Sequence, residues 1–268
     1  MPVFTLPKSS HPDFALPKVK PNGPVEIDWD NSLSKGLVVY ALLGEGIPHV
    51  LYDKFGSVVA GTTGTPIGSS EGRLLSQSTT EEFVTLKQPY DESIHFSAEE
   101  LTWAARLRRN AAGNQQLSRL PSNLLHSHYP HGGVMYMGIA RLPRLTLTGV
   151  YDSDLDDTLH NVIVTSSKLT DEYKTYTGGV LRDTTTADWS WGGVRTTDQK
   201  LFMGTYKDAG FFALWNRALS SHEVASLEED PYRLILKPAI PLTYFVPGAA
   251  AAGGGLTAGS LSLMGVGI

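Results

Sequence analysis

"FFALWNRALSSHEVASLEEDPYRLI", residues 211–235, decides how this chain is read. The apolar run from Phe211 to Trp215 has the length and content of a buried strand, and a helix with a marked start follows it. Ser220 and Glu223 stand in S-x-x-E spacing, a capping box in which each side chain satisfies the other's backbone N–H. Val224 and Leu227 then give an i, i+3 apolar stripe, and Pro231 stops the helix. One short helix closes the stretch, and upstream of it the pattern predicts strands and turns.

Working outward, "LVVYALL" (37–43) is an apolar run long enough for a buried strand. "EEFVTLK" alternates apolar and polar residues from Phe83, and "LTWAARLRR" follows the same alternation less strictly. "GGVMYMGIARL", "RLTLTGVY", "LHNVIVTSS" and "EYKTYTGGVLRD" continue the pattern. Gly178-Gly179 between two strand-like runs marks a two-residue hairpin, because both turn positions tolerate positive φ. Strands at intervals of roughly ten residues predict an antiparallel sandwich or barrel. A parallel α/β fold would need a helix between strands, and the pattern offers none.

Composition agrees. Of 268 residues, 41% are hydrophobic and 18% charged, which is globular, and 27 glycines with 16 prolines favour turns over long helices. The net charge of −5 argues against nucleic acid as the main partner, since the nearest basic patch is three dispersed lysines, Lys8, Lys18 and Lys20. No segment approaches the ~18 apolar residues that span a bilayer, and the N-terminus lacks the apolar core of a secretion signal. The absence of cysteine fits folding in a reducing cytoplasm.

Three units are expected. Residues 1–34 hold "FTLPK" and its repeat "FALPK", a Pro-interrupted extended arm with Phe4 and Phe14 as apolar anchors. Residues 35–236 form the sandwich, and residues 237–268 a low-complexity Gly/Ala-rich tail.

With these residues on the page, the sandwich resembles a laminin-G-like, concanavalin-A-like jelly roll. "LYDKFGSVVAG" (51–61) is similar to that family's Asp-x-x-Gly turn, and "FVTLK" with "LTWAARL" to its next strand pair. "LHNVIVTSS…YKTYTGGVL" resembles its central strand and Gly-containing hairpin, and "LFMGTYKDAGFFALWNRALSSHEVASL" its closing strand, Asn-Arg-Ala-Leu-Ser corner and terminal helix. The opening "GPVEIDWDNSLSKGLVVYALLGEG" and the closing "EEDPYRLILKP" resemble the version of this domain in tailed-bacteriophage virion proteins. The resemblance implies an all-β jelly-roll sandwich with one short C-terminal helix and extended arms. It also implies a non-enzymatic structural protein: a capsid decoration, head fibre or tail component. Such a protein would be made in the host cytoplasm and found in the virion as a homo-oligomer, docked on other subunits through its arms. The alternative is a carbohydrate-binding module that contacts host surface glycan.

Chemistry is sparse. Glycoside cleavage on this fold uses alternating carboxylates on one strand, whereas Glu81-Glu82 and Glu99-Glu100 are adjacent and point to opposite faces. No enzyme is expected, and no catalytic, cofactor or metal residue is assigned. "HSHYPH" holds His126, His128 and His131; the first two share a face if extended, but Pro130 and Gly132-Gly133 read as a loop. "DSDLDD" (152–157) departs from the EF-hand template, with Asp157 in place of glycine and Ile163 in place of glutamate. The resemblance leaves calcium possible: Asp53 matches the family's first-turn ligand, while its acidic partner falls on Gly210, two residues from Asp208. Trp189 and Trp191 are either a sugar-stacking pair or a core or interface pair.

Overall fold

Strand alternation sends side chains to two sides of a sheet, and in this protein both sides of one sheet are buried. Along Glu100–Arg109, Leu101, Trp103, Ala105 and Leu107 enter one apolar core while Ala104 enters another. Along Lys207–Trp215, Phe212 and Leu214 face the first core, and Phe211, Ala213 and Trp215 the second.

A computed structural model describes residues 25–43, 49–63, 81–91, 100–109, 159–186, 198–205 and 207–237. It also describes the backbone of the short strands Val3–Thr5, Ser9–Ser10, Ile67–Ser69, Gly72–Leu74, Gln115–Arg119, His126–Tyr129, Met135–Gly138, Leu145–Leu147, Val194–Arg195 and Pro241–Thr243.

The doubly buried sheet runs, in spatial order, Val180–Thr186, Glu172–Thr177, His160–Ser167, Glu100–Arg109, Lys207–Trp215, Leu37–Leu42 and His49–Asp53, every pair antiparallel. Opposite it, a second antiparallel sheet orders Leu145–Leu147, Met135–Gly138, His126–Tyr129, Gln115–Arg119, Gln199–Thr205, Glu81–Leu86 and Val58–Thr63. Val84, Leu86, Leu201 and Phe202 of the second sheet close the inner core against Trp103, Phe212 and Leu214. The Trp103 indole N–H donates to Leu201 O at 2.9 Å, satisfying the one polar atom that its burial would orphan. The result is an antiparallel β-sandwich of jelly-roll type, as the strand spacing predicts.

The helix, Ser221–Glu229, forms part of a third layer over the outer face of the first sheet. Val224 and Leu227 pack there with Ile27, Leu33, Tyr232, Leu234 and Ile235 against Tyr40, Ile163, Phe211 and Trp215. Its start is the predicted capping box: Ser220 Oγ accepts from Glu223 N–H at 3.3 Å, and Glu223 Oε2 from Ser220 N–H at 2.9 Å. Gly178 and Gly179 lie at φ +60° and +76°, the left-handed pair that a tight hairpin requires, and Thr177 pairs with Val180 across them.

Ile27 and Leu33 are buried, so core residues occur upstream of Leu37. Ser9–Ser10 and Glu26–Ile27 flank Ile235–Lys237 in a small sheet. Residues 9–238 form one compact unit; residues 1–8 and 239–268 form another, in which Val3–Thr5 pairs antiparallel with Pro241–Thr243.

Candidate functional site

The corner after Trp215 is fixed from three directions. Asn216 N–H donates to Gly36 O at 2.8 Å, and Arg217 Nε to Lys35 O at 2.7 Å. Gly36 holds φ +74°, and a Cβ there would lie 2.9 Å from Asn216 Oδ1, so only glycine permits this approach. Thr102 Oγ1 donates to Arg217 O at 2.7 Å and accepts from Leu219 N–H at 2.9 Å. Arg217 then forks onto Glu223 at 2.9 and 2.7 Å, the bidentate geometry that suits guanidinium and carboxylate. Burial opposes ionisation of Glu223, but the hydrogen bonds from Arg217 and Ser220 outweigh it and hold the carboxyl down at about 2.

Between this corner and the turn joining His160–Ser167 to Glu172–Thr177 lies an open cleft of about 340 Å³. Hydroxyl side chains dominate its walls: Thr165, Ser167 and Thr170 on the sheet side, Ser220 and Ser221 at the helix start. Ser166 also borders it but turns its buried hydroxyl the other way, to Leu101 O at 3.4 Å. Lys174 Nζ meets Glu172 Oε2 at 2.8 Å, with each side chain more than a third exposed. The hydrogen bond from Lys174 holds Glu172 below the usual carboxylate range, and the same bond raises Lys174 against the opposing effect of desolvation. Both partners are therefore charged near neutral pH. Tyr176 borders the cleft from the outer core, in which it is buried; burial pushes its hydroxyl up, against the pull of Lys174 and a hydrogen bond with Thr165, so it stays protonated. Glu100 has a supporting role: Oε2 accepts from Ala218 N–H at 3.2 Å and Oε1 from Ser167 Oγ at 3.4 Å, which ties the two walls together.

Chemically, this is a set of small donors and acceptors around one ion pair. A general acid for glycoside cleavage needs a carboxyl raised towards neutrality; Glu172 is displaced the other way, and Glu100 is engaged by both oxygens.

A second feature is an exposed aromatic. Trp29 is 55% exposed, and its ring meets Tyr52 edge-on, with centroids 4.7 Å apart and planes at 76°.

The sites considered from sequence fare differently. Asp53 is a turn residue: Oδ1 accepts from Phe55 N–H at 2.8 Å and Oδ2 from Val58 N–H at 2.6 Å. Gly210 has no room for the acidic side chain that the resemblance would put there, since a Cβ would run into Tyr232 Oη. The calcium pair implied by the resemblance therefore does not fit these residues. His126 and His128 lie two apart on a paired strand, His126–Tyr129, which corrects the loop reading: ladder pairing on both sides overrides the nearby proline and glycines. The side chains of His126, His128, Glu81, Glu82, Asp208 and Phe4 lie outside the described residues, as do His131, Glu99, residues 152–157, Phe14, Trp189 and Trp191. Among the described residues no three His, Asp or Glu side chains converge as a metal would need, and no helix is long and apolar enough to cross a membrane.

Sequence reasoning missed the cleft, because it is assembled from segments near residues 100, 165–176 and 218–221. One signal was present: Glu172 and Lys174, opposite charges two apart in a strand, share a face. Trp29, an aromatic between two aspartates in a polar turn, carried a signal as well.

No protein-family model matches the chain, and no curated protein does. Solved structures do. The binding domain of botulinum neurotoxin DC in complex with SialylT superposes with a TM-score of 0.56 at 10% identity, covering 74% of this chain and 52% of that one. The same domain in complex with rat synaptotagmin II gives 0.52 at 12% identity over the same shares. Trypanosoma rangeli sialidase in complex with sialic acid gives 0.52 at 13% identity, covering 79% of this chain and 35% of that one. The chain thus spans about half the length of the neurotoxin domains. At such identities the likeness is one of fold, and the fold that the chain shares with them is the β-sandwich of jelly-roll type.

Proposed function

We propose that this chain is a non-enzymatic recognition module whose sandwich holds carbohydrate in the cleft between the hairpin and the helix corner. The cleft carries the reading. Ligand pockets for drug-like molecules are mostly apolar, whereas this one sets the hydroxyl side chains of Thr165, Ser167, Thr170, Ser220 and Ser221 around an exposed ion pair within about 340 Å³. That is room and chemistry for a saccharide unit or two, with the ion pair and the wall hydroxyls exchanging hydrogen bonds with its hydroxyl groups. The shared fold supports the reading, since one neighbour was solved with SialylT and another with sialic acid. The flanking segments, by their resemblance to tailed-bacteriophage virion domains, support the particle surface as its place and host glycan as its target.

A second reading makes the chain a structural subunit of the virion that docks through its ends. It is favoured by the pairing of Val3–Thr5 with Pro241–Thr243 in a unit distinct from the body.

A glycan panel probed with the full chain and with Lys174→Ala tests the first reading. Binding of one or more neutral oligosaccharides is expected, weakened at least about tenfold in the variant at an unchanged melting temperature. Absence of any glycan binding, or equal binding by the variant, overturns it in favour of the structural reading. Release of hydrolysed product would overturn the non-enzymatic part.

A further inference from the structure

The Trp29 turn is held more firmly than an ordinary surface loop. Asp28 N–H donates to Leu234 O at 2.8 Å, and Asn31 Nδ2 to Arg233 O at 3.0 Å. Asn31 Oδ1 accepts from Leu33 N–H at 3.0 Å, Asp28 Oδ1 from Asp30 N–H at 3.1 Å, and Ser34 Oγ donates to Asn31 O at 2.7 Å, with Trp29 O 3.2 Å away. Just beyond the turn, Leu33 is locked in the outer core by its own burial and by the bond from the Trp215 indole to its carbonyl. Yet the largest side chain of the turn is left 55% exposed, which forgoes the burial that a tryptophan ordinarily gains. A rigid frame around an exposed ring is how a binding anchor is built: the ordering entropy is lost on folding rather than on binding.

The chemistry of the spot favours one class of ligand. Trp29 and Tyr52 meet nearly at right angles and so form a two-walled corner. Aromatic faces attract cations, tryptophan most strongly, and two walls are the minimum of an ammonium cage. Asp28 and Asp30 flank Trp29 in the chain, and no Lys or Arg occurs between Val25 and Ser34. Arg233, whose carbonyl holds Asn31, turns its guanidinium to Ser226 O at 3.4 Å. Asp28 and Asp30 are thus the charges next to Trp29 in the chain, with Lys35 its nearest cation along the sequence and Lys54 two residues beyond Tyr52. A carboxylated sugar would meet two like charges, and an amine two opposite ones.

We propose that the Trp29–Tyr52 corner is a second binding site, which takes the ammonium group of an amine-bearing sugar and rejects carboxylated ones. The proposal rests on the carbohydrate reading for its choice of carrier. The spot is one aromatic corner set in polar residues, whereas a protein partner would need an apolar-centred patch several times larger.

The test titrates the full chain with three probes of matched length: glucosamine oligomers, N-acetylglucosamine oligomers and sialylated oligosaccharides. Measurements run near pH 6, where the amine is charged, and at two salt concentrations. The free-amine oligomer is expected to bind about five- to tenfold tighter than its acetylated counterpart, with the advantage shrinking at high salt. Asp28→Asn with Asp30→Asn should remove that preference; the amide oxygen introduced at position 28 can still accept from the N–H of residue 30, so the turn and the melting temperature are kept. Trp29→Ala should abolish amine-dependent binding, and Lys174→Ala should leave the preference intact. Equal affinity for amine and acetamide, or a preference that survives the aspartate changes, overturns this proposal even if the cleft binds neutral sugar. Amine binding at Trp29 with no response of any glycan to Lys174→Ala instead sustains the corner and sinks the cleft. Equal binding of a lysine-rich peptide would overturn the sugar as carrier.

Discussion

Gly210 shows how one atom constrains this fold. It lies in the Lys207–Trp215 strand, where a Cβ would run into Tyr232 Oη and come within 3.3 Å of Arg106 Cδ. Both neighbours are buried, so neither can swing aside cheaply. Gly210→Ala is therefore expected to destabilise the protein by about 1–3 kcal/mol, as overpacking does. Removing the obstructing hydroxyl with Tyr232→Phe in the same chain should recover part of that loss. Urea unfolding of the two single variants and the double variant reads the coupling, and strictly additive changes would show that the contact does not govern the site. The same residue marks a limit of reading by resemblance. A resemblance can align an acidic ligand with Gly210, but no local pattern shows that Tyr232, distant in the chain, fills the space.

At the scale of elements, the helix start carries a pH dependence whose sign is fixed. The Glu223 carboxyl sits at about 2 in the folded chain, against an ordinary value of 4.5. Between those values the unfolded chain takes the proton first, so the Arg217–Glu223–Ser220 cluster stabilises fully above pH 4.5 and loses its effect as pH falls towards 2. The shift sets an upper limit of about 3 kcal/mol, and solvent reduces it because roughly a fifth of each side chain is exposed. Glu223→Gln should thus be less stable than the parent at pH 7, with the gap closing between pH 4.5 and 2. A gap constant across that range would mean that the pair contributes nothing through its charge. This element was legible in the sequence because it is local: S-x-x-E lies within one helical turn, as Gly178-Gly179 lies within one hairpin. Strand spacing gave the sandwich for the same reason. The cleft was not legible, because Glu100, Lys174 and Ala218 become neighbours only through strand pairings between distant parts of the chain.

At the scale of the molecule, the question is whether two apolar cores make two cooperative units. The inner core lies between the sheets and the outer one under the helix, but both are built on the same strands. Trp103 and Ala104 are consecutive, as are Phe211 and Phe212, and each pair divides between the cores. Melting the outer layer exposes Phe211 and Trp215; melting the inner one frees the strands that carry them. The cores cannot separate without breaking the central sheet, so one transition is expected for the body. A fragment of residues 9–238, the compact unit that contains both cores, should unfold in one step with strand-dominated circular dichroism. Leu201→Ala in the inner core and Leu227→Ala in the outer core, both fully buried, should each lower that single transition, by about 2–5 kcal/mol. Calorimetry decides the matter by comparing the calorimetric and van't Hoff enthalpies. A second peak that moves with Leu227→Ala alone would make the helix layer an independent unit, and the sheet it covers would then have to hold its outer face exposed to water without it.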